Sequence, residues 1–167
     1  MSDRIPNPEF PFWKIHPVGA AVTFVTKIYD TESEPGEQTP KRELVNTKIV
    51  KSTILAADEQ GVKTRRVTIL PATPHREEVV IEEDFTHAAT WDVKYKVEYK
   101  DLGVEKVTIS SGTFECIKLQ RIEKTQYAET VVTKWWCKDV PGGLVKLTTE
   151  NDFSEGIGEV SEFKVPE

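Results

Sequence analysis

Cysteine, histidine and methionine are scarce in this chain: it has two, three and one of them in 167 residues. Two cysteines are too few for the disulfide framework of a small secreted domain, and His16, His75 and His87 stand in no recognised zinc spacing with them. No metal is therefore expected. No cofactor is expected either, because the sequence has no phosphate-cradling glycine loop and no dinucleotide fingerprint.

Long hydrophobic runs are also missing. No stretch approaches the roughly 20 apolar residues of a membrane-spanning helix, and MSDRIPNPEF at the start lacks the basic opening and apolar run of a signal peptide. The expected location is cytoplasmic if Met1 is the native start, and periplasmic if a leader has been removed. Clustered positive charge is the third absence. With a formal net charge of -6 and KTRR at 63–66 as the one dense basic run, the chain has too few phosphate contacts for nucleic acid to be a partner.

What remains, at 38% hydrophobic and 30% charged residues, is the mix of a single soluble globular domain able to bury a core without staples. Pro6, Pro8, Pro11 and Pro17 deny residues 1–17 a helix, so this part is expected as an extended arm that lays Phe10, Phe12 and Trp13 over the domain. Residues 18–167 read as one antiparallel β domain. VGAAVTFVTKIYD (18–30) is rich in β-branched and aromatic residues, and TESEPGEQTP after it reads as a loop. ELVNTKIVKSTILAA (43–57) and VKTRRVTIL (62–70) flank DEQG as a hairpin. EEVVIEEDF (77–85) is a short strand or one helical turn.

VKYKVEYK (93–100) has the cleanest alternation, with Val93, Tyr95, Val97 and Tyr99 on one face, and predicts a strand. Further strand patterns follow at 105–110, 112–124, 129–139, 144–151 and 157–165. The fold class is mainly β: a single curved antiparallel sheet, as a meander, half-barrel or barrel-like form, of roughly eight to ten strands with little helix.

The last hairpins can be put in register. A turn centred on Gln126 and Tyr127 sets Lys124 opposite Glu129, Ile122 opposite Val131, Ile117 opposite Trp136 and Cys116 opposite Cys137. The two cysteines are then either a cross-strand disulfide or a pair of buried thiols. VPGG (140–143) has the proline and glycine of a type II turn, which brings Leu147 near Trp136. Ile117, Leu119, Val132, Trp136, Val145 and Leu147 then form a core face.

Trp135, on the other face with Cys116, Lys118, Cys137 and Lys146, has fewer apolar neighbours. It is either covered by the aromatic arm or another loop, or it is a binding-surface aromatic. Trp135, Trp13 and Phe12 are therefore the candidate ligand-contacting residues.

No catalytic residue is expected. There is no G-x-S-x-G elbow, Ser110 and Ser111 sit in a hairpin turn, and nothing activates either thiol. The carboxylates of 77–84 lack a calcium-loop pattern and read as charges guarding a strand.

GTFECIK (112–118), followed by the second stretch WWCKDVPGGLVK (135–146), resembles the C-terminal half of the lipoprotein-localisation (LolA/LolB-like) half-barrel family. FWKIHPVGAAVTF (12–24) is similar to an opening found in uncharacterised bacterial proteins of this type, with Ala20 where serine is commoner. The resemblance implies a curved antiparallel sheet whose apolar concave face can hold an acyl chain or a hydrophobic peptide. The family's carriers plug that face with helices, which are not read here; the arm with Phe10, Phe12 and Trp13 stands in their place. The expected function is a non-enzymatic binding module for a hydrophobic small molecule or lipidated protein. The alternative is a structural subunit pairing through sheet edges or the arm, and a hydrolase-like enzyme ranks third, with no motif behind it.

Overall fold

The computed structural model describes residues 3–32, 36 and 41–167. Its strands, in chain order, are β1 (Arg4–Pro6), β2 (Ala21–Glu32), β3 (Lys41–Ala57), β4 (Gly61–Leu70), β5 (Val79–Ala88), β6 (Thr90–Asp92), β7 (Lys100–Ile109), β8 (Gly112–Lys124), β9 (Glu129–Trp136), β10 (Leu144–Glu150) and β11 (Ser154–Lys164). One short helix, α1, covers Phe10–Lys14. Nine strands form one antiparallel sheet in the order β5-β4-β3-β2-β11-β10-β9-β8-β7, and β1 pairs with β6. The sheet is open, with β5 and β7 at its edges, and residues 89–99 carry the chain from one edge to the other. The loop expected at 31–40 lies largely outside the described residues.

Turn chemistry sets the registers. Asp58 Oδ1 accepts from the amides of Gln60 and Gly61 at 2.7 and 3.0 Å and closes β3 onto β4. At VPGG the Gly143 amide donates to the Val140 carbonyl at 2.8 Å and Gly142 has φ 78°, the positive φ that a type II turn needs. Across β8 and β9, Lys124 faces Glu129, Ile122 faces Val131 and Ile117 faces Trp136, as expected. One step in β10 differs: an irregularity between Leu144 and Lys146 sets Leu144 opposite Trp136 and Leu147 opposite Lys134. The fully buried Val145 falls within that irregularity.

The basic run KTRR and the acidic strand after it prove to be one feature. Arg65 faces Asp84 across β4 and β5 with Nε 3.2 Å from Oδ1, Lys63 pairs with the same carboxylate, and Arg66 pairs with Glu83.

Two expectations need correction. Residues 1–17 are not wholly extended: Arg4–Pro6 is a strand, and Phe10–Lys14 is a helix with proline in its first turn. A proline there loses no intrahelical bond and its fixed φ suits the helix, so Pro11 starts α1 where it had been read as forbidding one. VKYKVEYK is not a strand either. Val93–Tyr95 is a 3-10 turn capped by Asp92, whose Oδ1 accepts from the Lys94 amide, and strand pairing resumes only at Lys100.

Candidate functional site

Trp135 and Trp136 point to opposite faces of β9, as strand alternation demands, and the structure reverses their expected assignment. Trp135 is 9% exposed and packs in the cluster that holds Cys116, Cys137 and Val145. Its indole N–H donates to Glu105 Oε2 at 2.8 Å, while the ammonium groups of Lys118 and Lys146 stand 5.3 and 5.4 Å from its ring. Lys118 also pairs with Glu105. Side chains of the same sheet therefore cover this indole, which is neither of the two expectations, a cover by the arm or a loop or an exposed binding-surface aromatic.

Strand alternation and register imply one core face, but this sheet has two. Val132 and Thr133 are consecutive and both buried, at 4% and 5% exposure, so β9 is covered on both sides.

The indole N–H, first, and Lys118, next, hold the Glu105 carboxyl below its usual range. Trp135→Phe removes that donor, so the Glu105 carboxyl should titrate at higher pH by carbon-detected NMR, and Trp136→Phe should leave it where it is. An unmoved Glu105 in Trp135→Phe would show that the bond does not form in solution.

Cys116 and Cys137 are buried and free. Burial, with Cys137 nearby, pushes the Cys116 thiol up to about 11, and burial raises Cys137 as well. Both stay protonated at neutral pH. His75 is exposed in the 71–76 connection. Among the described residues no group of three or more His, Cys, Asp and Glu side chains is placed to hold a metal ion, and no helix is long and apolar enough to cross a membrane.

Trp136 looks the other way, toward α1. Pro11 sits in the first turn of α1, and the Gly142 amide donates to the Phe12 carbonyl at 3.1 Å. These set the Phe12 ring 5.3 Å from that of Trp136. Trp13, next in sequence, is buried and stacks on His87 at 4.4 Å; His87 in turn lies 3.2 Å from Thr64 Oγ1 and meets the edge of Phe85.

Asn7 fixes the segment before the helix. It is 3% exposed, donates from its side chain to the Ala88 carbonyl at 2.7 Å and from its amide to the Ala89 carbonyl, and accepts from the Glu9 amide. A buried amide with all these bonds is a clamp, because breaking any one of them strands a polar group.

Between this assembly and the sheet lies a groove of about 650 Å³. Its floor is Ile117, Leu119 and Arg121 of β8 with Lys134 and Trp136 of β9, and its other wall is Pro8, Glu9 and Phe12 with Trp91, Tyr95, Val97 and Tyr99. Tyr95, Val97 and Tyr99 of the alternation seen in the sequence border this groove, although Tyr95 and Val97 remain exposed and Val93 does not reach it. A second hollow of about 330 Å³, past Trp13, is lined by Phe24, Val50 and Leu147 among others.

Of the residues singled out from sequence, Phe12 lines the larger groove, whereas Trp13 is packed beneath the helix and Trp135 is on the far face. Arg121, Lys134, Tyr95, Val97 and Tyr99 were not anticipated as a site. The two cations converge on one aromatic: Arg121 Cζ and Lys134 Nζ lie 5.5 and 5.4 Å from the Tyr99 ring centre. Burial raises the Glu9 carboxyl above its ordinary value against the pull of Lys134 and Arg66.

No protein-family model and no curated protein matches the sequence. Among solved structures, the fold is similar to that of a proposed lipoprotein from Parabacteroides distasonis, with 12% identity and a TM-score of 0.50 over 93% of this chain and 98% of that one. A proposed exported protein of YmcC-like fold from Bacteroides fragilis aligns over 89% of this chain and 97% of that one, at 9% identity and a TM-score of 0.49. At such identity the first likeness is one of fold alone.

Proposed function

We propose that this protein is a non-enzymatic binding module that holds a hydrophobic or acyl ligand in the groove beside Trp136. The observation that carries this reading is the groove itself: about 650 Å³, within the roughly 300–1,000 Å³ range of small-molecule sites, walled by aromatic and aliphatic side chains with few polar groups. Ile117 on its floor is 43% exposed, an apolar surface that a ligand would cover. Each buried methylene would contribute about 0.8 kcal/mol.

The resemblance of GTFECIK and WWCKDVPGGLVK to the lipoprotein-localisation half-barrels supports the same reading, and Phe12 of the N-terminal arm stands in the groove wall. Pairing through a sheet edge has less support: β5 places Glu82, Glu83 and Asp84 beside its exposed Val80 and Ile81, and charges on an edge oppose strand addition.

Titration with a panel of fatty acids, lysolipids and neutral lipids, followed by tryptophan fluorescence, should give saturable changes for the acyl compounds. Ile117→Glu, which puts a charge on the groove floor at an already half-open position, should weaken that binding by about tenfold or more. No saturable change with any compound would overturn the proposal.

A further inference from the structure

Charge is distributed unevenly between this groove and the rest of the molecule. The chain carries 22 Lys and Arg against 28 Asp and Glu, yet the groove lining holds two cations, Arg121 and Lys134, to one carboxylate, Glu9. The two cations are diagonal neighbours on one face of β8 and β9, because Arg121 faces Val132 and Leu119 faces Lys134. Like charges so placed repel one another, and nothing among the described residues fully neutralises them.

One Arg121 terminal nitrogen pairs with Glu123, two residues along the same strand. Arg121 Nε, by contrast, is buried and has no hydrogen-bond partner among the described residues. Lys134 makes no ion pair within 4 Å among them. Glu9 comes within ion-pair distance of neither cation, and burial raises its carboxyl against the pull of Lys134.

An anion between these two groove-lining cations would relieve their mutual repulsion through charge-assisted bonds to the guanidinium and the ammonium. We infer that the ligand is an anionic amphiphile, its headgroup held by Arg121 and Lys134 and its acyl chain lying along Val97, Ile117 and Trp136. This rests on the groove being the ligand site. The headgroup is a carboxylate or a phosphate monoester, both of which match the Arg–Lys pair, and it enters with its chain, because apolar walls give a free anion nothing to gain.

The test compares four probes with the same twelve-carbon chain, dodecanoate, dodecyl phosphate, dodecanol and dodecyltrimethylammonium, below their micelle-forming concentrations and at pH about 8, where the carboxylate is ionised. The two anions should bind about tenfold or more tighter than dodecanol, and the ammonium compound more weakly than dodecanol. Arg121→Gln combined with Lys134→Met should abolish the preference for the two anions, with a far-ultraviolet circular dichroism spectrum like the parent's showing that the variant is folded. Inorganic phosphate should not compete with dodecanoate.

Equal binding of dodecanoate and dodecanol would overturn the headgroup assignment while sparing the groove. Full displacement of dodecanoate by inorganic phosphate would overturn it as well, since the anion alone would then suffice. No binding by any of the four would overturn the groove reading and this one together.

Discussion

Gly142→Ala should destabilise the protein by about 2–5 kcal/mol, and Gly143→Ala by a similar amount, from two costs that add. Both glycines have φ 78°, where an L side chain costs about 1–2 kcal/mol. In addition, a Cβ on Gly142 would overlap the Trp13 ring, and one on Gly143 would overlap the Phe12 ring. Neither ring has an easy retreat, because Trp13 is stacked on His87 and Phe12 is set against Trp136. Overpacking of this kind typically costs 1–3 kcal/mol.

Gly103 separates the two costs. It has φ 89° but open space around its would-be Cβ, so Gly103→Ala should show the backbone cost alone, about 1–2 kcal/mol. Urea unfolding of the three variants gives the comparison. If Gly142→Ala loses no more than Gly103→Ala, α1 is not seated on the VPGG turn as described.

Acid should weaken the fold well before the carboxylates titrate, and His87 is the cause. Burial, with Arg66 nearby, lowers its pKa from 6.5 to about 4. The ring is enclosed by Trp13, Phe85 and Thr64, so no carboxylate faces it to welcome a proton. Above pH 6.5 it is neutral folded or unfolded and costs nothing. As pH falls from 6.5 toward 4 the unfolded chain takes up a proton that the folded one refuses, and stability drops by about 3 kcal/mol across that window.

Asp84 and Glu105, held below their usual range by hydrogen bonds from Arg65 and Trp135 first of all, lose their contribution only at lower pH. Unfolding midpoints measured between pH 7 and about 4.5 should therefore fall in the parent protein and stay nearly flat in His87→Gln. A parent protein as stable at the acid end as at neutrality would refute the buried, unprotonated His87.

How much of this was legible follows from which interactions are local. The β8–β9 register could be derived because its determinants are local: a turn after Lys124, a charge pair at Lys124 and Glu129, and an apolar pair at Ile122 and Val131. The type II turn at VPGG was legible for the same reason, and so were the antiparallel sheet and its scarcity of helix, whereas whether the sheet closes into a barrel was not.

The faces were not. Alternation shows that Trp135 and Trp136 part company, but which indole is buried depends on Glu105, Lys118 and Lys146 from three other strands. No local pattern places Glu105 beside Trp135.

The site was legible only as fragments. Phe12 stood out as an aromatic among prolines, and Tyr95, Val97 and Tyr99 stood out by period two. A period-two pattern does not require that the backbone join a sheet: Val93–Tyr95 is a 3-10 turn and strand pairing resumes only at Lys100. Arg121 and Lys134 sit singly in strands dense with other charges, and only the register brings them to one ring.

The route of residues 89–99 from one sheet edge to the other has a kinetic consequence. It divides the chain into two meanders, β2 to β5 and β7 to β11, within which every pairing joins strands that are consecutive in sequence. The one pairing that unites them is β2 with β11, from opposite ends of the chain. Local hairpins close quickly, whereas a contact between distant segments must first meet the entropy of ordering what lies between. The β2–β11 seam is therefore expected to close late in assembly, and the groove, with α1 from before β2 on one wall and β8 and β9 beneath it, draws its parts from both sides of that seam.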